Sequence, residues 1–353
     1  MNNSSNTTSL LQEAQASGLL NERVCSILLF LNWSVLCAII AVFGIVANII
    51  NIIVFIKMGV RGTAVNLSLL CLSVADLGSL LLLAWISLAS NPLFTSLDLP
   101  FIPLNVAYVT GGWPRLCFVR TSGGITAFVT LERCLCIKTP LRVHRIFTPK
   151  RTAICLAAIF FLMLLSALPA FAYIDLAPIF DPEKNKTLIG TVYNDKENTI
   201  KPVVTVAGFV VTTGSFLCVS VFSAVLIHAL IQRRQKWECS KNVYTLQTGA
   251  ARSSRSMPTQ NKDMQVAKMI LLIAAVFITC FVPHGAIFLI MELVEEFNTG
   301  KAYHNLFTVC ISFIHIFEGV SFAINILLYI KLSSKFRHTI RALFLPLKQT
   351  SPV

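Results

Sequence analysis

Asp76, Arg115, Arg120, Glu132, Arg133, His284, His315 and Glu318 all stand inside or at the ends of long apolar runs. At mid-membrane an ionisable group with neither partner nor water costs at least about 2.5–3.5 kcal/mol. Each therefore needs a reason. Asp76, within NLSLLCLSVADL, has the chemistry of a cation site or a hydrated switch. It can equally be a polar knot between helices, with Asn48 and Asn325 as amide partners. Glu132 and Arg133 close the end of their run. They are either an interfacial snorkelling pair or a switch in which Glu132 and Asp263 hold Arg133 until a partner takes it. Asp263 lies far enough before Pro283 to reach the same boundary as Arg133. Pro283, in CFVPH, deletes a backbone hydrogen bond and predicts a kink, serving as a hinge or simply as bundle shape. Arg115, His284, His315 and Glu318, with Val119 and Phe281, are candidates for a ligand pocket whose cationic floor suits an anionic or carboxylate-bearing ligand. An Arg115–Glu318 ion pair that only stabilises the bundle is the competing reading.

Nothing catalytic accompanies these groups. There is no H-E-x-x-H, no glycine-rich phosphate loop and no intramembrane Asp pair, and the histidines are too dispersed for a transition-metal site. The 11 cysteines contain no C-x-x-C pair. The expectation is a chain that is not an enzyme and requires no cofactor.

The elements that must position these residues follow from composition. Of 353 residues, 55% are hydrophobic and 13% charged, against about 25% charged in soluble domains. The mean hydropathy is +0.74. These values exclude disorder, a small disulfide scaffold and most soluble enzymes, and they predict an all-α membrane protein. Seven crossings are expected: Trp33 to Ile56, Val65 to Leu88, Leu104 to Ile137, Thr152 to Ile174, Val203 to Ile231, Gln265 to Leu293 and Tyr303 to Ile330. The third holds Arg115, Arg120, Pro114 and four glycines, too polar to face lipid all round, so it belongs in the middle of a bundle.

Lys and Arg concentrate in alternate loops and the C-terminal tail, while the opposite loops are mixed or acidic. The positive-inside rule then puts the N-terminus outside and the C-terminus in the cytosol. The net charge of +13 reflects this topology and contact with the anionic inner leaflet, not nucleic acid. Residues 1–32 read as an extracellular tail, 33–330 as the seven-helix domain and 331–353 as a cytosolic helix and tail. The polar stretch 232–262 reads as a mobile cytosolic loop. Phe336, Ile340, Leu343 and Phe344 recur at helical spacing among Lys335, Arg337 and Arg341, which predicts a short amphipathic helix on the inner leaflet. Sequons at Asn2, Asn3, Asn6 and Asn185 would be outside and open to glycosylation, whereas those at Asn32 and Asn66 fall at or within spans.

These motifs resemble the rhodopsin-like (class A) G-protein-coupled receptors, from about Gly44 to Phe336. GIVAN ends at Asn48, LSVADL holds Asp76, and ERC is similar to Asp/Glu-Arg-Tyr and is followed by Pro140-Leu141. FITCFVP has Phe281 where the family has Trp, and NILLY has Ile326 where it has Pro. Phe336 follows Tyr329 at the family's spacing. ITAFVTLERCLCIKTPLRV looks like divergent invertebrate receptors of chemosensory or neuropeptide type. The resemblance implies a plasma-membrane receptor for an extracellular small molecule or peptide. It implies an Arg133 switch engaging a heterotrimeric G protein, outward movement of the sixth helix about Pro283, and inward rotation of Tyr329. It also implies an allosteric sodium pocket at Asp76, Ser122, Ser321 and Asn325, and arrestin and a receptor kinase as further partners. A seven-span transporter or channel is the other class to weigh; it would favour repeated halves, and no internal repeat is evident. The chain departs from the family pattern at the outer surface. Tyr108 replaces the usual Cys, and the loop 176–201 has no Cys, so the family disulfide cannot form. The fourth span lacks the family Trp, and the fifth lacks its Pro and Tyr.

Overall fold

A computed structural model describes residues 20–59, 63–139, 143, 145–182, 184–248 and 258–344, with the side chains of 236–248 and 258–263 outside the description. The sequons at Asn2, Asn3 and Asn6 lie outside the described residues.

Among the described residues, six helices are long and apolar enough to cross a membrane: α1 (Glu22–Met58), α2 (Ala64–Ala89), α4 (Pro149–Ala167, with a 3-10 turn to Ala172), α5 (Glu197–Thr248, of which Glu197–Gln235 forms the span), α6 (Pro258–Leu293, spanning from Met264) and α7 (His304–Leu332). The seventh, α3 (Trp113–Lys138), is the polar one. It packs against α2, α4, α5 and α6. Its Arg115, Arg120, Glu132 and Arg133 are all buried. Charge that would exclude this helix from lipid is tolerated because neighbouring helices enclose it. Thr121, Thr126 and Thr130 donate to the carbonyls four residues earlier at 2.7, 2.8 and 2.7 Å, so their hydroxyls need no distant partner.

Boundaries differ from expectation in four places. First, α1 starts at Glu22, inside the expected tail. Asn21 accepts the Arg23 N–H at 2.9 Å and Glu22 sits in the first turn, both favourable at a helix N-terminus. A π-helical stretch, Phe30–Cys37, then turns Asn32 inward, where its Nδ2 donates to Ser312 Oγ at 2.8 Å. Second, much of the expected loop 232–262 is helical, since α5 runs on to Thr248 and α6 begins at Pro258. Polar composition does not stop a helix that its apolar portion has already nucleated. Third, α7 breaks at Ile324 without a proline. Fourth, the outer loop is not irregular. Strands β1 (Ile174–Asp181) and β2 (Lys186–Tyr193) form an antiparallel hairpin, so the molecule is not purely helical.

The hairpin is fixed without a disulfide. Ile189 N–H donates to Pro100 O at 3.0 Å, and Ile102 N–H donates to Ile189 O at 2.9 Å, so the chain before α3 lines one strand edge. Thr191 Oγ1 donates to Asn105 O at 2.9 Å. Lys186 pairs with Asp98 at 2.8 Å and holds that carboxyl below its usual range, chiefly by hydrogen bonding to it. Both groups are exposed, so this pair pins register rather than supplying much stability. It persists at neutral pH and is lost as pH falls through the lowered carboxyl value. An aromatic chain runs from Tyr108 to Trp113 (6.2 Å), Trp113 to Tyr173 (6.5 Å) and Tyr173 to Tyr193 (6.4 Å). Such pairs contribute about 0.5–1.5 kcal/mol each beyond their buried area. Tyr108, which stands where the family has Cys, therefore anchors the same hairpin by packing. Asn185 occupies the hairpin turn with φ of 46°, a left-handed conformation that Asn tolerates; its side chain is exposed.

The last helix, α8 (Ser334–Phe344), is amphipathic as expected. Phe336 is fully buried against Phe55 and Tyr329, both 5.4 Å away. Phe344 is exposed. Arg337 Nη1 donates to the carbonyls of Ile330 and Lys331 at 2.8 Å, capping α7.

Cys25, Cys37, Cys117, Cys134 and Cys280 are buried thiols outside any disulfide, and the hairpin contains no cysteine. The purified protein should therefore unfold at the same midpoint with and without dithiothreitol. A drop of several degrees in reductant would show that a structural disulfide exists.

Candidate functional site

Polar side chains gather at three depths, and each group uses residues far apart in sequence. In the outer half, Arg115 on α3 points toward α7. Its Nη1 lies 2.7 Å from His315 Nδ1 and 2.8 Å from Glu318 Oε2. Guanidinium only donates, so His315 Nδ1 accepts and that ring carries its proton on Nε2. Glu318 Oε1 receives His284 Nδ1 at 2.8 Å, which ties α6 to α7. Arg115 and Glu318 are each 1% exposed. The expected ion pair thus exists, and two histidines join it. Two aromatic neighbours escaped sequence reading: Trp33, 4.6 Å from His315, and Phe288, stacked 4.6 Å from His284. Nothing in their spacing separates them from ordinary lipid-facing or core aromatics.

Val119 and Phe281, the other two pocket candidates, lie deeper. Both are packed in the apolar core below this cluster. Phe281 stacks on Phe277 at 4.1 Å and meets Phe322 at 6.2 Å. They form a floor, not an open wall. Pro283 sits inside α6 two residues beyond Phe281, where the missing N–H weakens the helix.

At mid-depth Asp76 is fully buried. Ser122 Oγ donates to its Oδ1 at 2.6 Å and Asn325 Nδ2 to its Oδ2 at 2.8 Å. The knot therefore joins α2, α3 and α7. Asn48 does not bond Asp76. Its Nδ2 donates to Gly44 O at 2.9 Å and to Phe322 O at 3.0 Å, a carbonyl next to the break in α7. Both carboxylate oxygens are already engaged from the other side. Ser321 is buried, but among the described residues it makes no hydrogen bond to Asp76.

At the inner end, Arg133 Nη2 bonds Glu132 Oε1 at 2.8 Å, both residues being buried. Among the described residues, Arg133 Nε and Glu132 Oε2 have no hydrogen-bond partner. Asp263 lies on α6, but its side chain is outside the described residues. Tyr329 is fully buried, its ring edge-on to Phe55 at 5.1 Å, with Ser73 beside its hydroxyl.

Removing one member of the outer pair leaves a buried charge unpaired. Arg115→Met alone should destabilise the protein by about 3–5 kcal/mol, and adding Glu318→Leu should recover most of that loss. Thermal unfolding of both single variants and the double variant measures the coupling. Additive losses would mean that the two charges do not stabilise each other.

Residues 47–320 match the family described as 7 transmembrane receptor (rhodopsin family). Neuromedin-U receptor 2 of Mus musculus is 25% identical over 319 residues, 89% of this chain and 75% of that protein. Its Homo sapiens counterpart is 24% identical, over 87% of this chain and 70% of that protein. Bombesin receptor subtype-3 of Ovis aries is 23% identical, over 84% and 70%. Nothing in these similarities favours a transporter or a channel, and the chain is a multi-pass membrane receptor, not an enzyme. With a family match from Ala47 to Val320 lying over a seven-helix bundle whose third helix carries the buried charges, the chain belongs to the rhodopsin family of seven-transmembrane receptors.

Proposed function

We propose that this receptor lies in the plasma membrane with its N-terminus outside, binds a peptide between the hairpin and the Arg115 cluster, and activates a heterotrimeric G protein through Arg133. The relatives' names, neuromedin-U receptor and bombesin receptor, support a peptide ligand over a small chemosensory molecule. The observation that carries the activation step is the buried Glu132–Arg133 pair at 2.8 Å, in which Arg133 Nε and Glu132 Oε2 have no partner among the described residues. A pair held by so few bonds is releasable, and Arg133 then becomes a donor for a partner in the cytosol. Movement of α6 about Pro283 and rotation of Tyr329 supply the second state, as in other bistable bundles. Arrestin and a receptor kinase would bind the same cytosolic face. Asn2, Asn3, Asn6 and Asn185 would carry glycans outside.

Asp76 has no cationic side chain beside it among the described residues. One turn away, Ser79 Oγ is buried and unpartnered. A carboxylate and several serine oxygens form a hard donor set that fits sodium, with Asp76, Ser122, Ser321 and Asn325 holding it. The ion would supply the missing counter-charge and favour the inactive arrangement.

Two tests follow. Nucleotide exchange on membranes, run against a panel of peptides, should show one that stimulates exchange. Arg133→Ala should reduce that stimulation to background at unchanged surface abundance, and unchanged exchange would refute the switch. Sodium chloride, compared with potassium chloride, should lower basal exchange of the native receptor. Asp76→Asn should make exchange indifferent to the cation, and retained discrimination would place the ion elsewhere.

A further inference from the structure

The outer half of the bundle holds a second arginine that the Arg115 cluster does not use. Arg120 is 7% exposed. Among the described residues its hydrogen bonds run from Nη1 to one residue of α4, Ser166, at 2.9 Å to Oγ and 3.5 Å to the carbonyl. Ser166 is neutral, and its own hydroxyl donates to Met163 O at 2.7 Å. Arg120 Nε is buried without a partner. Its Nη2 lies so close over Gly208 of α5 that a Cβ there would collide with it. The guanidinium is therefore wedged between α3, α4 and α5, and no acidic side chain among the described residues pairs with it.

The surroundings repeat the imbalance. Trp113 lies two turns above on the same face of α3, with its indole against Tyr108. Arg115 Nε and Nη2 are unbonded. The facing acceptor, Glu318 Oε2, is already in ion-pair contact with Arg115. The outer half thus holds buried donors in excess of acceptors and one arginine charge more than its carboxylates neutralise. A guanidinium cannot shed its proton to relieve this. Structural arginines in dry sites are paired, as Arg115 is. A buried cation left unpaired at the expense of stability is the signature of a group kept for a ligand.

We propose that Arg120 is the counter-charge for a carboxylate on the ligand, in a subsite between α3, α4 and α5 separate from the Arg115–Glu318 pair. The carboxylate is an acidic side chain or a free C-terminus if the ligand is a peptide. This rests on the receptor reading for its biological meaning, yet its test needs no G protein, so the two can fail independently.

The test is thermal unfolding of the full-length receptor in nanodiscs, with benzoate as the probe and benzamide as its neutral isostere. Benzoate should raise the native midpoint by about 1 °C or more over benzamide. Arg120→Gln, relieved of an unpaired charge, should unfold about 2–4 °C higher than the native protein and lose the preference for benzoate. Arg120→Lys should keep that preference. An unchanged or lowered midpoint for Arg120→Gln, including a failure to fold, would make Arg120 a structural residue and overturn the proposal. So would an absent benzoate preference in the native receptor, or one that survives Arg120→Gln.

Discussion

Hydrocarbon offers no hydrogen bonds and little screening, so a helix carrying Arg115, Arg120, Glu132 and Arg133 has to be enclosed by protein. That requirement places α3 among α2, α4, α5 and α6 and lets the remaining helices be as apolar as lipid demands. Most of the buried charges then meet a partner. Arg115 finds Glu318 and His315, Asp76 finds Ser122 and Asn325, and Arg133 finds Glu132. The bundle is held by apolar packing around Leu80, Phe277 and Phe322 in the middle and Phe55, Tyr329 and Phe336 at the inner end. Specificity of helix register comes from the buried polar links between these layers.

The three polar groups share helices, and that gives the fold its capacity to signal. Glu318 and Asn325 both belong to α7, while Arg115, Ser122 and Arg133 all belong to α3. His284 connects α6 to the outer group just above Pro283. A ligand that altered the hydrogen bonds of Glu318 would act on α6 and α7 together, and any shift of α7 would reach Asp76 through Asn325. This is the kind of contiguous, bistable network through which coupling free energy passes between distant sites. Helix α7 yields at Ile324 although Ile326 stands in place of the family proline, because Asn48 takes up the Phe322 carbonyl beside the break.

The outer surface shows a different solution to a familiar problem. A disulfide restrains the hairpin covalently by limiting the unfolded chain. Here Tyr108, Trp113, Tyr173 and Tyr193 pack in sequence, and backbone bonds from Pro100 and Ile102 cover the edge of β2. This restraint is weaker per contact but independent of redox state. Trp113 packs with Tyr173 and Val204 as well, so the hairpin is tied to the outer ends of α3 and α5.

Much of the architecture could be read from local pattern. Span number, the central place of the third span and the membrane-surface helix follow from apolar run length, from charge within a run and from helical spacing, all of which are properties of the chain near each residue. Other features depended on which distant groups face one another. The inward turn of Asn32, the helical start at Glu22, the hairpin and the continuation of α5 to Thr248 carry no distinctive periodicity. Val119 and Phe281 look like pocket residues by position, yet packing closes over them. Arg115 and Arg120 are chemically identical and five residues apart on one helix, but Arg115 is turned to a carboxylate and Arg120 to a serine and a glycine. The chain's composition fixes that charge is buried; only the rotation of helices against each other decides which charge is neutralised, because an ion pair depends on distances of a few ångströms that residue order does not encode.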